Sequence, residues 1–157
     1  VVVVKEQRRL MVFDGGKLKE GTCFPIGLGS DHTGSHPTGT KTREGDRKTP
    51  EGWYRTTDKP WSNFYKAIYI NYPNSSDASL AAQEGRITKA QQQEIDRALK
   101  KGLTPPQTTP LGGEILIHGG GSSSDWTWGC VALDDDDTDA LRAVLPQGMK
   151  TDVLILP

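Results

Sequence analysis

Between positions 27 and 52 the chain carries six glycines and two prolines: Gly27, Gly29, Gly34, Pro37, Gly39, Gly45, Pro50 and Gly52. Glycine adds backbone entropy and proline removes a donor, so no helix or strand of ordinary length survives that spacing. The stretch therefore predicts a long ordered loop, and long loops in compact domains are commonly functional. The flanks read as β structure. Residues 1–4 are a β-branched run, and Leu10, Val12 and the turn Asp14-Gly15-Gly16 predict a hairpin into a strand over 18–28. Further strands are expected near 53–56, 66–71 and 114–117, the last ending at His118, with 153–156 closing the sheet. Residues 88–101 predict the clearest helix: Thr88 and Gln91 form a capping box, Ile95 and Leu99 share a face, and Gly102 ends it. The four aspartates at 134–137, followed by Ala140, Leu141, Val144 and Leu145, read as an acidic helix start rather than a metal site. The expectation is a mainly β fold with two or three short helices.

At 157 residues and 17.1 kDa, residues 1–157 read as a single domain able to bury its own core. Nineteen basic against twenty acidic residues leave a net charge of −1, too little for a basic field that would gather nucleic acid. No apolar stretch approaches the ~20 residues of a membrane-spanning helix, and a mean hydropathy of −0.58 suits a soluble, loop-rich chain. The two cysteines, Cys23 and Cys130, supply neither a disulfide framework nor a cysteine zinc site. Cys23, in Thr22-Cys23-Phe24-Pro25-Ile26, is expected to pack as a small hydrophobe. Because the chain begins inside an apolar strand, it reads as a trimmed or mature form, and the lack of a signal peptide does not argue against export.

Cys130 lies twelve residues after His118, each at the end of an apolar run or within a glycine-rich loop. A thiol with a pKa of ~8.5 is only slightly ionised at neutral pH and needs a base. A histidine in reach takes that proton and returns it to a leaving amine. Gly129 leaves the sulfur open to an incoming carbonyl. The competing reading is a packed cysteine beside a satisfied loop histidine; thiol alkylation, faster at Cys130 than at Cys23, would separate the two. Other motifs carry less. His118-Gly119-Gly120-Gly121 lacks the Gly-x-Ser-x-Gly elbow an esterase needs. Residues 34–42 miss the spacing of a phosphate loop. His32 and His36 are four apart, but Gly34 and Pro37 break the helix that would make them a zinc pair, leaving them near the groove or facing solvent. Trp126 and Trp128, under strand alternation, would share a side with Thr127 on the other. Asp46, Arg47 and Lys48 taken singly read as a solvated loop tip, against an alternative of recognising substrate carboxylates or amines.

Gly45-Asp46-Arg47-Lys48-Thr49-Pro50-Glu51-Gly52-Trp53-Tyr54, Ile70-Asn71-Tyr72-Pro73-Asn74, Ile117-His118-Gly119 and Asp125-Trp126-Thr127-Trp128-Gly129-Cys130-Val131-Ala132 together resemble the L,D-transpeptidase (YkuD-type) catalytic domain over nearly the whole chain. Trp128 stands where the commoner signature has a second histidine, Ala132 where it has arginine, and the stretch from His118 to Thr127 is short. These features are similar to a subgroup with Asp-Trp-Thr-x-Gly-Cys that holds peptidoglycan hydrolases as well as transpeptidases. The resemblance implies a β-sandwich and a Cys130 attack on an L,D peptide bond of a peptidoglycan stem, typically at meso-diaminopimelate. It implies an oxyanion held by the backbone N–H groups of Trp128, Gly129 and Cys130. His118 then needs an orienting acceptor, for which the carbonyl of Gly119 is the nearby candidate, and Trp126, Thr127 and Trp128 are candidates for the substrate groove. No metal or other cofactor is required. The thioester passes to an amine (transpeptidation) or to water, as in a carboxypeptidase or an amidase releasing a wall-linked protein or peptide; an inactive peptidoglycan-binding module is the remaining alternative. The implied location is the periplasm or extracytoplasmic envelope. Oligomeric state is not legible.

Overall fold

The computed structural model describes residues 1–31 and 33–157, so His32 lies outside the described residues. The strands are β1 (Val2–Val4), β2 (Arg9–Asp14), β3 (Lys17–Pro25), β4 (Gly52–Asp58), β5 (Ile68–Ile70), β6 (Leu116–His118), β7 (Val131–Ala132) and β8 (Asp152–Leu156). They form one sheet in the order β3-β2-β1-β8-β4-β5-β6-β7. The expected hairpin is β2–β3, turned at Gly15-Gly16. β8 does not close an edge: it sits in the middle, parallel to β1 and antiparallel to β4. Its alternate residues Val153 and Ile155 are fully buried, which suits a strand paired on both sides.

The loop after β3 joins the two ends of the sheet. Gly27 exchanges backbone hydrogen bonds with Ala132 at 2.9 and 2.8 Å, and Ser30 N–H donates to Thr127 O at 3.0 Å. The sheet therefore curls until its first and last strands meet, giving a mainly β fold with three helices packed on it. Gly29 is needed here for close approach, because a Cβ would collide with the Arg47 carbonyl oxygen. Strand alternation also corrects the reading of Cys23. Thr22 and Phe24 point inward on β3, so Cys23 points outward and is exposed.

Three helices cover the sheet: α1 (Ser75–Gln83), α2 (Lys89–Lys100) and α3 (Asp135–Val144). α2 begins with the Thr88/Gln91 capping box and buries Ile95. α1 gives no periodic signal because its buried face is only Ala78 and Ala81, yet Asn74 and Asp77 cap it reciprocally. α3 starts at the aspartates, but Asp134 does not cap its own helix. Its carboxylate accepts from Ser122 N–H at 2.8 Å, and Asp135 accepts from Gly120 N–H at 2.9 Å, so the acidic run holds the glycine-rich loop beside His118.

The core lies inside the curl and includes Leu10, Leu28, Ile68, Ile117, Val131 and Ile155. Each such side chain contributes roughly 1.5–3 kcal/mol on burial. A second, smaller apolar cluster lies on the outer face: Ala67, Leu116 and Cys130, with Tyr69 against them.

Candidate active site

β6 and β7 run parallel, with Ile117 opposite Val131 and His118 opposite Ala132. Cys130, one residue before β7, is thus level with Leu116 and on the same outer face as His118, about 7 Å further back along the strand direction. No hydrogen bond joins the two side chains among the described residues. The thiol donates instead to the Glu114 carbonyl at 3.4 Å and accepts from Leu116 N–H at 3.4 Å. Glu114 has φ 53°, a left-handed backbone uncommon outside glycine and concentrated at functional sites.

Cys130 is 8 % exposed, and burial pushes its thiol up to about 11, with the Leu116 N–H pulling weakly the other way. At pH 7 roughly one molecule in 10⁴ then carries the thiolate. The labelling order expected from sequence accordingly reverses, and because burial sets it, that order does not separate a catalytic Cys130 from a packed one. Iodoacetamide at pH 7 should modify exposed Cys23 well before Cys130, as peptide mass mapping over time would show. Equal or faster labelling of Cys130 would mean that the thiol is not sealed as described.

His118 is 1 % exposed. Its Nδ1 lies 2.6 Å from the Gly119 carbonyl, which can only accept, so Nδ1 carries the hydrogen and Nε2 is left as the proton acceptor. Burial lowers its pKa, partly offset by the Gly119 carbonyl. Phe64 stacks on the ring at 4.4 Å between centroids, and Trp126 meets it edge-on at 5.6 Å. Phe64 was missed in the sequence; its only signal is the aromatic-rich run Trp61-Ser62-Asn63-Phe64-Tyr65.

Residues 126–130 form a braced turn that keeps the expected alternation, with Trp126 and Trp128 exposed and Thr127 between them facing the other way. Thr127, expected among the groove candidates, is turned inward at 3 % exposure. Its Oγ1 donates to Cys130 O at 2.8 Å and accepts from Gly129 N–H at 3.2 Å. The Gly129 amide named for the oxyanion is therefore already engaged. Gly129 has φ 120°, and a Cβ there would lie 2.6 Å from the Lys48 carbonyl oxygen. Trp126 is 39 % exposed beside His118, while Trp128 is 70 % exposed with the Arg47 guanidinium 4.4 Å above its ring. Upstream, Asp125 accepts from Leu28 N–H at 2.8 Å and from Arg8 Nη2 at 2.7 Å. Burial raises its carboxyl pKa, but those donors more than offset this and hold it below the usual range.

The charged loop is not a solvated tip. Asp46 pairs with Lys41 at 3.0 Å, both side chains almost inaccessible, and also accepts from the N–H groups of Thr42, Arg43 and Lys48. His36 is half-buried, with Nδ1 2.8 Å from the Gly29 carbonyl, and burial lowers its pKa. Among the described residues no three His, Cys, Asp or Glu side chains gather as metal ligands, and no helix is long and apolar enough to cross a membrane. A pocket of about 140 Å³ opens at Cys130, bordered by Lys41, Glu44, Arg47, Glu114 and Trp128. A larger cleft of about 520 Å³, beside Trp53, Asn71 and Leu103, is lined by neither a cysteine nor a histidine, so chemistry rather than size marks the site.

The family model of the YkuD L,D-transpeptidase catalytic domain matches residues 1–155. The chain belongs to this family. YafK of Escherichia coli K12, whose name assigns it to the L,D-transpeptidases, is 52% identical over 42 residues, 25% of this chain and 17% of that protein. Pgp2, a helical cell shape determining protein of Campylobacter jejuni, shares 25% identity and a TM-score of 0.61 across 99% of this chain and 46% of its own. An L,D-transpeptidase from Xylanimonas cellulosilytica, at 12% identity and a TM-score of 0.52 over 98% of this chain and 58% of its own, shares the fold. This YkuD domain thus spans about half of the solved chains it resembles and under a fifth of the curated relative.

Proposed function

We propose that this domain performs cysteine-dependent acyl transfer on peptidoglycan stem peptides in the extracytoplasmic envelope. The observation that carries the reading is the pairing on one sheet face of Cys130 with a His118 whose Nδ1 is fixed by Gly119, leaving Nε2 to accept a proton. In this reading the thiol leaves the Glu114 carbonyl, gives its proton to His118 Nε2, and Cys130 Sγ bonds to the carbonyl carbon of an L,D bond. The N–H groups of Trp128 and Cys130 hold the oxyanion, joined by that of Gly129 once it releases Thr127 Oγ1. Such donors each contribute about 3–4 kcal/mol in a transition state. The C–N bond then breaks, the amine leaves with the proton from His118, and a thioester remains. An acceptor amine attacks it with His118 as base, completing transpeptidation and restoring the thiol. Burial of both groups in their neutral forms suits proton transfer between them at the moment of attack better than a standing ion pair.

The sealed resting thiol is also what an inactive peptidoglycan-binding module would have, and acceptor choice separates transferase from hydrolase. Incubation with tetrapeptide-bearing muropeptides, followed by mass spectrometry, tests all three. New 3-3 cross-links are the expected result. Shortened stems or a released wall-linked peptide would assign water as the acceptor, and an unchanged muropeptide profile would remove the enzymatic reading.

A further inference from the structure

We infer that Asp135 is a positioning residue for His118, acting through the peptide group that joins Gly119 to Gly120; this rests on the reading of His118 as the base that serves Cys130. One end of that peptide is the Gly119 carbonyl, 2.6 Å from His118 Nδ1. Its other end is the Gly120 N–H, which donates to Asp135 Oδ1 at 2.9 Å. Imidazole, peptide and carboxylate are therefore hydrogen-bonded in series. Gly119 makes the approach feasible, because a Cβ there would collide with the Asp135 carboxylate and with the Tyr65 ring.

A carboxylate on the N–H of a peptide leaves more electron density on that peptide's oxygen, so the bonds of such a chain strengthen one another. The effect is largest when the ring turns positive. As Nε2 takes the thiol proton, charge spreads to the Nδ1–H, which faces a carbonyl backed by a full negative charge. The hydrogens on Nδ1 and on the Gly120 nitrogen stay where they are, and no proton reaches Asp135. The anion thus fixes the tautomer of the resting ring and stabilises an imidazolium that it does not touch, as the carboxylate of a catalytic triad does by direct contact. Burial opposes that same charge. The ring contacts of His118, Phe64 and Trp126, carry no charge, and Tyr65 and Lys66 both donate to Asp139, away from the imidazole.

The loop does not depend on Asp135 for its place. Gly119 N–H donates to Tyr65 O at 3.0 Å, Leu133 N–H to His118 O at 2.8 Å, and Gly121 N–H to Leu133 O at 2.9 Å. Asp134 holds Ser122 N–H at 2.8 Å, and buried Thr138 and Leu141 anchor α3. Removing the charge at position 135 therefore leaves His118 where it is, and the consequence is read on the ring.

The test is an NMR titration of the three histidines, with the His118 signal assigned by its loss in His118→Ala. Asp135→Asn keeps an oxygen for the Gly120 N–H and removes the charge. It should lower the His118 pKa by about 0.5 pH unit, and Asp135→Ala, which also frees the Gly120 N–H, should lower it at least as far. Asp136→Asn removes an equal charge from the same first turn of α3 and should leave the His118 titration as in the parent. On muropeptides, the acid limb of the Asp135→Asn rate should move down with the pKa, and the plateau should fall about twofold, as for a weaker base. An unchanged His118 titration in Asp135→Asn, or an equal shift in Asp136→Asn, overturns the inference. Thermal melts identify a variant that does not fold; if Asp135→Ala is one, the isosteric Asp135→Asn carries the comparison. A parent that turns over no muropeptide removes the enzymatic reading, while the titration still decides whether Asp135 acts on His118.

Discussion

Replacing Cys130 with alanine is expected to abolish turnover and leave the fold in place. The sulfur contributes little to packing: it sits in the small outer cluster with Ala67 and Leu116, apart from the main core. Its loss removes a volume near one methylene group, a cost of about 1 kcal/mol. For a domain of this size that is a shift of roughly 2–4 °C in the unfolding midpoint. Activity should fall to background, because neither His118 nor the turn amides can form a thioester without Sγ. Chromatography of reaction products beside a thermal melt checks both halves. Turnover at the parent rate would dismiss Cys130 as nucleophile, and a collapsed melt would show that its two hydrogen bonds, to Glu114 and Leu116, matter to folding.

His118→Ala should lower the rate by ~10²–10⁴-fold, the usual worth of a positioned base, and should also change the shape of the pH profile. In the parent the imidazole must be neutral to accept the thiol proton. Burial holds its pKa below the ordinary histidine value. The acid limb of the rate should therefore lie at lower pH than an ordinary histidine would give, and above it the rate should stay flat while the thiol remains protonated, toward about 11. Without His118 only preformed thiolate can attack, so the residual rate should climb tenfold per pH unit through the neutral range. A variant profile parallel to that of the parent would mean that another group takes the proton.

How much of this was legible in the sequence follows from where the chain uses large side chains and where it uses backbone. The hairpin and α2 were readable because their apolar residues recur at the period of their structures, and the strand before His118 because Ile115-Leu116-Ile117 is an unbroken apolar run. α1 was not, because its buried contacts are two alanines. Cys23 was misplaced because an apolar neighbourhood in sequence says nothing about which side of a strand a residue occupies; that depends on register. At the site, Cys130 and His118 stood out by residue type. The inward side of Thr127 followed from alternation, but its bonds to the Cys130 carbonyl and the Gly129 N–H depend on a turn that side-chain pattern does not specify. Arg47 and Phe64 reach the site from distant loops, and nothing local announces a partner more than fifty residues away.

The position of β8 has a consequence for how the molecule is made. β1 to β3 form one block and β4 to β7 another, and β8 is the strand through which the two are hydrogen-bonded side by side. A ribosome that has released everything up to Met149 has therefore released two sheets with facing raw edges. The sheet becomes continuous only when residues 152–156 pair with both of those edges, a long-range contact that places its completion late in folding.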